Sequence, residues 1–374
     1  MEFPEEVLAH IFSYLPLWDR YSASLVCKAW SQTMTHPFVW YYTEVRCESG
    51  AEAHGLPQFC QLLRLVRHLK ISIRHTKEEA GRSMAVQALS YTMARESRLR
   101  ALCVSCTGEF PLFYSGEDIL QGIRSVLLNE DSGLSLREVD LREMPFTLGD
   151  SLVLNVARRS PGLRSLFINN KALVCNVTTE TMREVLGLCP QLRALGAFYA
   201  SLSEEVLGEL LRPGRAPFSL LELYCERSDK RYVHEVSDRF WEALRRRHPS
   251  LAVNVVLNHT LPAEMFLKIL QPSLPVRDLE LITFTYLVTE LGFVAGNYAD
   301  TLERLVVQAT APSAELDSAL VGVAERCGRL REVHCYCVVS QRVVDAFLER
   351  CPHLWRYTLK TTKERHPWTC TVLK

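Results

Sequence analysis

The sequence predicts an α/β chain: three short N-terminal helices, then a degenerate solenoid of helix–turn–strand units with a curved parallel sheet inside and helices outside. Three observations predict it. The first forty residues read as short amphipathic segments punctuated by Pro4, Pro16 and Pro37. Further on, one pattern keeps returning: apolar, two variable residues, apolar, one variable residue, apolar. A turn precedes several copies of that pattern at the same offset. A repeated unit that cannot bury its own apolar face must stack on its neighbours.

Residues 1–45 come first. Pro4 suits the first turn of a helix, where its missing N–H costs nothing. Glu5 and Glu6 favour the positive end of the helix dipole. Val7, Leu8, Ile11, Phe12 and Leu15 fall on one face of a 3.6-residue period, and Pro16 ends the run. Asp19 is the expected N-cap of a second helix, with Leu25, Val26, Ala29, Trp30 and Thr33 along one stripe. His36-Pro37 breaks that helix, and Phe38, Val39 and Trp40 form a third apolar segment. A unit of about forty residues sits near the size at which outside support is needed, so surplus apolar surface here points to a partner. Residues 46–58, with Gly50, Gly55 and Pro57, read as a linker.

Residues 59–374 carry the repeats. The anchors are Val66-Leu69-Ile71, Leu99-Leu102-Val104, Leu136-Val139-Leu141, Leu163-Leu166-Ile168, Leu192-Leu195-Ala197 and Leu220-Leu223-Cys225. After a weak copy at Ala252-Val255-Leu257 come Val276-Leu279-Leu281, Leu302-Leu305-Val307, Leu330-Val333-Cys335 and Leu354-Tyr357-Leu359. From Leu136 onward the copies start 24 to 32 residues apart, and eight to eleven repeats are expected. Turns at Ser160-Pro161, Cys189-Pro190, His248-Pro249, Cys327-Gly328 and Cys351-Pro352 each follow a helical pattern. The 107–130 and 226–262 stretches leave the boundaries open.

Bulk properties narrow the function classes. The chain has 374 residues, 48% of them hydrophobic, enough for a large core. Lys+Arg and Asp+Glu balance at 43 each, so no global basic footprint for nucleic acid is expected. No apolar run approaches the length of a membrane span, the first residues lack the pattern of a signal peptide, and no prenylation signal is expected. Thirteen Cys in no framework spacing fit reduced thiols and a cytoplasmic or nuclear location.

The N-terminal residues carry a resemblance. Phe3-Pro4-Glu5-Glu6-Val7-Leu8, Ile11-Phe12-Ser13-Tyr14-Leu15 and Cys27-Lys28-Ala29-Trp30 resemble an F-box, with Phe3 where the family usually has Leu. The later repeats resemble the Cys-Pro-x-Leu kind of leucine-rich repeat found in F-box/leucine-rich-repeat proteins. They depart from it at Met144, Lys171 and Ala200, which stand where an Asn or Cys usually follows the last anchor. The C-terminal His366-Pro367-Trp368 belongs to the same likeness. The resemblance implies that Phe3, Pro4, Val7, Leu8, Ile11 and Leu15 contact Skp1. It implies a cullin and a RING subunit reached through Skp1, and a protein substrate held by the repeats for ubiquitination. It implies no catalysis and no cofactor in this chain. A scaffold without a ligase role, or an enzymatic site in the 107–130 insert, are the other readings.

Candidate chemistry is thin. Cys103-x-x-Cys106 has no second pair to complete a zinc site. His334 among Glu332, Tyr336, Cys335 and Cys337 lacks a nucleophile elbow, and there is no phosphate-binding loop. Arg245-Arg246-Arg247 stands at a helix C-terminus, where the dipole favours cations. Between anchors, strand alternation turns variable residues away from the core. Phe167, Tyr224, Asp278, Glu280, Glu332, His334, Tyr336, Arg356 and Lys360 are the substrate-contact candidates on that face, with Glu138, Asp140, Arg142, Glu222 and Arg304 beside them. Aromatics there are of the kind that anchor interfaces.

Overall fold

The computed structural model describes residues 3–47, 56–59, 61–74, 79–93, 97–108, 116–128, 134–170, 172, 174–227, 234–309 and 311–362. Most of the expected linker, the centre of the 107–130 insert, residues 228–233, Lys171 and His366-Pro367-Trp368 lie outside the described residues. The chain divides into two compact units. The first holds residues 1–197 with 212–216, the second residues 198–211 with 217–374.

The first unit opens with helices α1 (Glu5–Ser13), α2 (Leu17–Ser24) and α3 (Lys28–Thr33). Pro4 stands at the N-cap position of α1, and its carbonyl accepts from Val7 and Leu8 N–H at 3.1 Å. The expected second helix, capped by Asp19 and running through Leu25 to Thr33, is two helices instead. Pro16 stands at the N-cap position of α2 and Asp19 lies in its first turn. The Ser22 and Ser24 hydroxyls donate to the Trp18 and Tyr21 carbonyls at 3.2 and 2.6 Å, offering the backbone a local alternative to the helix. Extended Cys27 then starts α3, leaving Leu25 and Val26 exposed between the helices. Phe38–Trp40 is a turn, closed by the Trp40 indole N–H donating to the Met34 carbonyl at 2.7 Å.

Strands β1 (Tyr42–Cys47), β2 (His68–Ile73), β3 (Ala101–Cys106), β4 (Glu138–Asp140), β5 (Ser165–Phe167) and β6 (Ala194–Phe198) follow in chain order. Helices α4 (Glu79–Thr92), α5 (Glu117–Leu128), α6 (Asp150–Arg159) and α7 (Thr179–Leu188) separate them. The β1 strand precedes the first anchor set, and its alternating Thr43, Val45 and Cys47 are buried. All pairings are parallel, and Leu69, Leu102, Val139, Leu166 and Leu195 fall side by side in one buried column. Removing each such side chain from water contributes about 1.5–3 kcal/mol.

The second unit repeats the scheme. Strands β7 (Leu220–Cys225), β8 (Ala252–Asn258), β9 (Val276–Ile282), β10 (Arg304–Gln308), β11 (Glu332–Val338) and β12 (Arg356–Lys360) are parallel. Between them lie α8 (Glu204–Gly208), α9 (Asp238–Arg247), α10 (Phe266–Ile269), α11 (Val288–Asn297), α12 (Ala314–Arg326) and α13 (Gln341–Arg350), with α8 ahead of β7. Leu223, Val255, Leu279, Leu305, Val333 and Tyr357 share one register column, as the anchors require. Leu220, Ala252 and the whole Leu354-Tyr357-Leu359 set are not buried as anchors should be. Leu220 and Ala252 are half-exposed, because alternation turns Leu221 and Val253 inward and Phe218 and Leu251 take the buried places. Tyr357 is exposed because β12 has a strand neighbour on one side only among the described residues.

Each expected turn is a helix end. Ser160, Cys189, His248, Cys327 and Cys351 are the C-caps of α6, α7, α9, α12 and α13, and all five are buried. The last carbonyls of a helix lack intrahelical donors. Here the cap of the next repeat reaches back to supply them. The Cys189 thiol lies 3.6 Å from the Ser160 carbonyl, and the Cys351 thiol lies 3.7 and 3.8 Å from the Ala324 and Cys327 carbonyls. The Ser160 hydroxyl accepts from Leu136 N–H at 2.9 Å, and His248 Nδ1 accepts from Phe218 N–H at 3.1 Å. Arg245–Arg247 are exposed at the end of α9, Arg246 pairing with Glu242 at 3.0 Å. The Asn missing from the anchor pattern is present one residue early: buried Asn170 donates to the Phe146 carbonyl at 2.7 Å.

Candidate functional site

Two surfaces of the first unit and one of the second carry the residues of interest. On the helical module, Leu8, Ala9 and Phe12 of α1 are buried, with Phe12 edge-on to Trp30 at 5.1 Å. Phe3, Val7 and Ile11 point outward, 61%, 43% and 46% exposed. Exposed Tyr14 continues the Val7–Ile11 row one turn on, and Leu25, Val26 and Phe38 are exposed as well. The single apolar face expected for α1 is therefore two faces. Leu8 belongs to the inner one, so its side chain is part of the module's own core and not of its surface. Leu15 is half-buried, and Pro4 is exposed.

What fixes this module to the sheet is Arg20, which the sequence reading passed over. Its side chain is 3% exposed. The guanidinium donates to the Leu15, Ser13 and Tyr42 carbonyls at 2.9, 3.0 and 3.1 Å and to the Thr43 hydroxyl at 3.0 Å, with the Trp40 ring at 5.3 Å. Burial pulls its pKa down to about 10. The one signal available was a lone Arg in an otherwise apolar helical period.

On the strand face of the second unit, Asp278, Arg304, Glu332 and Arg356 fall in register across β9 to β12, with Glu280, Val306, His334 and Thr358 in the next row. Arg304 pairs with Glu280 and lies 3.4 Å from Glu332. Burial works against the Arg304 cation, but the hydrogen bond to Glu280 together with the charges of Glu280, Asp278 and Glu332 outweighs it and raises its pKa. Burial raises Asp278, with Arg277 at 3.5 Å opposing. His334 was expected on the open face; it is buried. Its Nδ1 lies 3.0 Å from the Thr358 hydroxyl, its Nε2 3.7 Å from Glu332, and its ring stacks on Tyr336 at 6.5 Å. Burial, with Arg304 and Arg356, lowers its pKa. Neighbouring long side chains close over the imidazole, which strand alternation alone does not reveal. Tyr336 and Arg356 are exposed, and Lys360 is half-buried opposite Val338, past an irregularity in the pairing.

Tyr224 accepts from the Asn258 amide at 2.7 Å and meets Phe198 edge-on at 5.5 Å. Phe167 belongs to the first unit, half-buried beneath the Arg142 guanidinium at 4.2 Å, which also pairs with Asp140 at 2.6 Å. Phe167 is thus in the first unit and the other eight candidates are in the second. The sequence reading also missed the loop after β9. Phe284 has φ 51, a left-handed backbone rare for a non-glycine residue, and Tyr286 is 75% exposed. Two aromatics in Thr283-Phe284-Thr285-Tyr286, directly after a strand, were the available signal.

Among the described residues no group of three or more His, Cys, Asp or Glu could hold a metal, and no helix is long and apolar enough to cross a membrane.

A family model described as F-box-like matches residues 2–43. Human F-box/LRR-repeat protein 8 is 44% identical over 99% of this chain and 98% of its own length, and the mouse protein of that name 41% identical over the same shares. The chain belongs to the F-box/LRR-repeat family. Mouse F-box/LRR-repeat protein 21 is a more distant relative, 26% identical over 93% of this chain and 79% of its own. In this F-box/LRR-repeat protein, α1 to α3 are the F-box and the twelve parallel strands with their helices are the leucine-rich repeats. Such proteins generally act as non-catalytic substrate adaptors.

Proposed function

We propose that this chain is the substrate-recognition adaptor of a Skp1-cullin-F-box ubiquitin ligase. Residues 1–45 dock on Skp1, residues 46–58 link, and residues 59–374 hold a protein substrate. A cullin and a RING subunit attach through Skp1, in the cytoplasm, the nucleus or both. Catalysis belongs to those partners, and the adaptor contributes proximity, which raises the substrate's effective concentration near the charged carrier.

The observation that carries this reading is the outward row Phe3, Val7, Ile11 and Tyr14 on a helix whose other face is already packed. Large apolar side chains held in water on a unit this small favour a partner. Val7→Ser with Ile11→Ser tests it better than any change at Leu8, because both positions lie outside the core. A pull-down with purified Skp1 and cullin reads the result, with circular dichroism as the folding control. Capture of both by the wild type and of neither by the folded variant supports the adaptor. Failure of the wild type to capture Skp1 refutes it. Capture without ubiquitin transfer to any bound protein moves the chain to the scaffold reading.

A further inference from the structure

One pattern lies outside the anchor set and the proposed docking face. In the first unit the residue directly before each of β2 to β6 is arginine: Arg67, Arg100, Arg137, Arg164 and Arg193. The backbone sets them in strict succession. Arg100 N–H donates to the Arg67 carbonyl at 2.8 Å, Arg137 to Arg100 at 2.6 Å, Arg164 to Arg137 at 2.7 Å and Arg193 to Arg164 at 2.8 Å. Parallel strands lie about 4.8 Å apart, so like charges stand on neighbouring rungs and repel one another.

The column borders a cavity of about 570 Å³ lined by Tyr41, Arg67, His68, Arg98, Arg100, Arg137, Glu138 and Arg164, with Ser97 and Ala101. Among the described residues little neutralises Arg67, Arg98, Arg100, Arg137 and Arg164. Arg67 lies over the Tyr41 ring at 5.9 Å, and Arg100 donates to the Ser135 carbonyl at 2.8 Å. Arg98, Arg137 and Arg164 have no side-chain partner among the described residues, and all three are exposed. The second unit shows the contrast. There Arg277 and Arg331 hold the equivalent place after the first anchor, yet Arg277 pairs with Asp278 and bonds Asn254, and Arg331 lies 3.7 Å from Glu303. Arg137 and Arg164 of the first unit have no such neighbour among the described residues.

We propose that this arginine column binds an extended acidic segment of a protein partner, with Asp or Glu carboxylates spaced along it. Guanidinium forks match carboxylates two bonds at a time. Five rungs at about 4.8 Å span roughly 19 Å, which about six residues of extended chain cover at about 3.3 Å each. Same-side carboxylates on such a chain recur every 6–7 Å or so, so charge strung out in a line fits the column better than one compact dianion. Equal numbers of cationic and anionic residues over the whole chain favour a peptide over a nucleic acid, which would be held by a broad positive field. The anion site needs no Skp1. Its use in holding a substrate rests on the adaptor reading.

The test is fluorescence polarisation of a labelled peptide of about seven residues alternating Glu and Ser, titrated with the full chain in the absence of Skp1. Competitors are the same peptide with Gln for Glu, a phosphoserine peptide with a single phosphate, and a single-stranded oligonucleotide. The variants are Arg137→Gln/Arg164→Gln and, as control, Arg277→Gln/Arg331→Gln. The expected result is competition by unlabelled Glu peptide and not by the Gln peptide. Binding should weaken at least about tenfold in the first variant, change less than about twofold in the second, and fall with added salt. Equal loss in both variants, or a Gln peptide that competes as well as the Glu peptide, overturns the proposal. So does tighter binding of the monophosphopeptide or the oligonucleotide, which reassigns the column to another anion. Because Skp1 is absent, none of these outcomes bears on the docking reading.

Discussion

Replacing Arg20 by methionine removes a buried cation while keeping most of its apolar stem. Four acceptors lose their donors: the Ser13, Leu15 and Tyr42 carbonyls and the Thr43 hydroxyl. Each hydrogen bond contributes about 1–1.5 kcal/mol net, and bonds from a charged group somewhat more, so the four together contribute roughly 4–6 kcal/mol. Against this stands the cost of keeping a guanidinium out of water, evident in the fall of its pKa from 12.5 to about 10. That cost is of order 3 kcal/mol at about 1.4 kcal/mol per pKa unit. The Thr43 hydroxyl is left buried and the three carbonyls part-buried, so the loss on substitution lies at roughly 2–4 kcal/mol, confined to the F-box and β1. Hydrogen–deuterium exchange reads this directly. Amides of α1 and of β1, such as Val45, should lose protection by that amount while β10 and β11 stay unchanged. Lysine at this position should recover less than half of the loss, because an ammonium cannot reproduce the fork. Unchanged protection in β1 for Arg20→Met would refute the reasoning, since it would mean that the network carries no net stability.

Four further outcomes are expected. Gly196→Ala should destabilise the first unit by about 1–3 kcal/mol by thermal melting, since a Cβ there would lie 2.7 Å from Asn169 Cγ and 2.8 Å from a Phe167 ring carbon. Ser160→Ala should cost about 1–2 kcal/mol, because the buried Leu136 N–H loses its acceptor. His334 has a lowered pKa, so below its unfolded value of 6.5 the unfolded chain takes up the proton first and stability falls with pH. His334→Gln should therefore melt closer to the wild type, or above it, at pH 5.5 than at pH 7.5, pH values chosen about one unit either side of that pKa. Cys337, held down to about 7 by the Cys335 thiol 3.1 Å away, should be alkylated by iodoacetamide before Cys335 in a mass-spectrometric time course, and Cys335→Val should slow it.

The repeats were legible because two independent periodicities agree. The anchors Leu69, Leu102, Val139, Leu166 and Leu195 recur with the stride of one unit, and the caps Cys189, Cys327 and Cys351 recur ahead of them. Each has one dominant cause, burial for the anchors and unpaired helix carbonyls for the caps. What was not legible depends on competition between local forces. The break at Leu25–Cys27 comes from serine hydroxyls capturing helix carbonyls, against an apolar period that favours continuity. Leu8 and Val7 are both apolar, and only the packing of Phe12 on Trp30 decides which faces inward. The arginine column was hidden in plain composition. Arg after the first anchor looks like ordinary solvent-facing charge in any one repeat, and its meaning lies in whether a neighbour on its own or the preceding repeat offers a carboxylate.

That last criterion also sorts the nine substrate-contact candidates. A side chain already paired must give up its partner to bind something else, and exchanging one ion pair for another gains little. Glu280 and Glu332 are engaged with Arg304, Asp278 with Arg277, Tyr224 with Asn258, and His334 is enclosed by Thr358, Tyr336 and Glu332. These groups stiffen the face more than they offer it. Tyr336 and Arg356 remain outward, and the strained loop after β9 adds Phe284 and Tyr286. Aromatics and arginine are the types that dominate binding energy when a partner buries them. Alanine at Tyr336 or Tyr286 should therefore weaken capture of a substrate by about 1–3 kcal/mol, and alanine at Glu280 by less than about 1 kcal/mol once folding is controlled for. The reverse order in a quantitative pull-down would show that the face rearranges on binding and that the resting pairs are the recognition elements themselves.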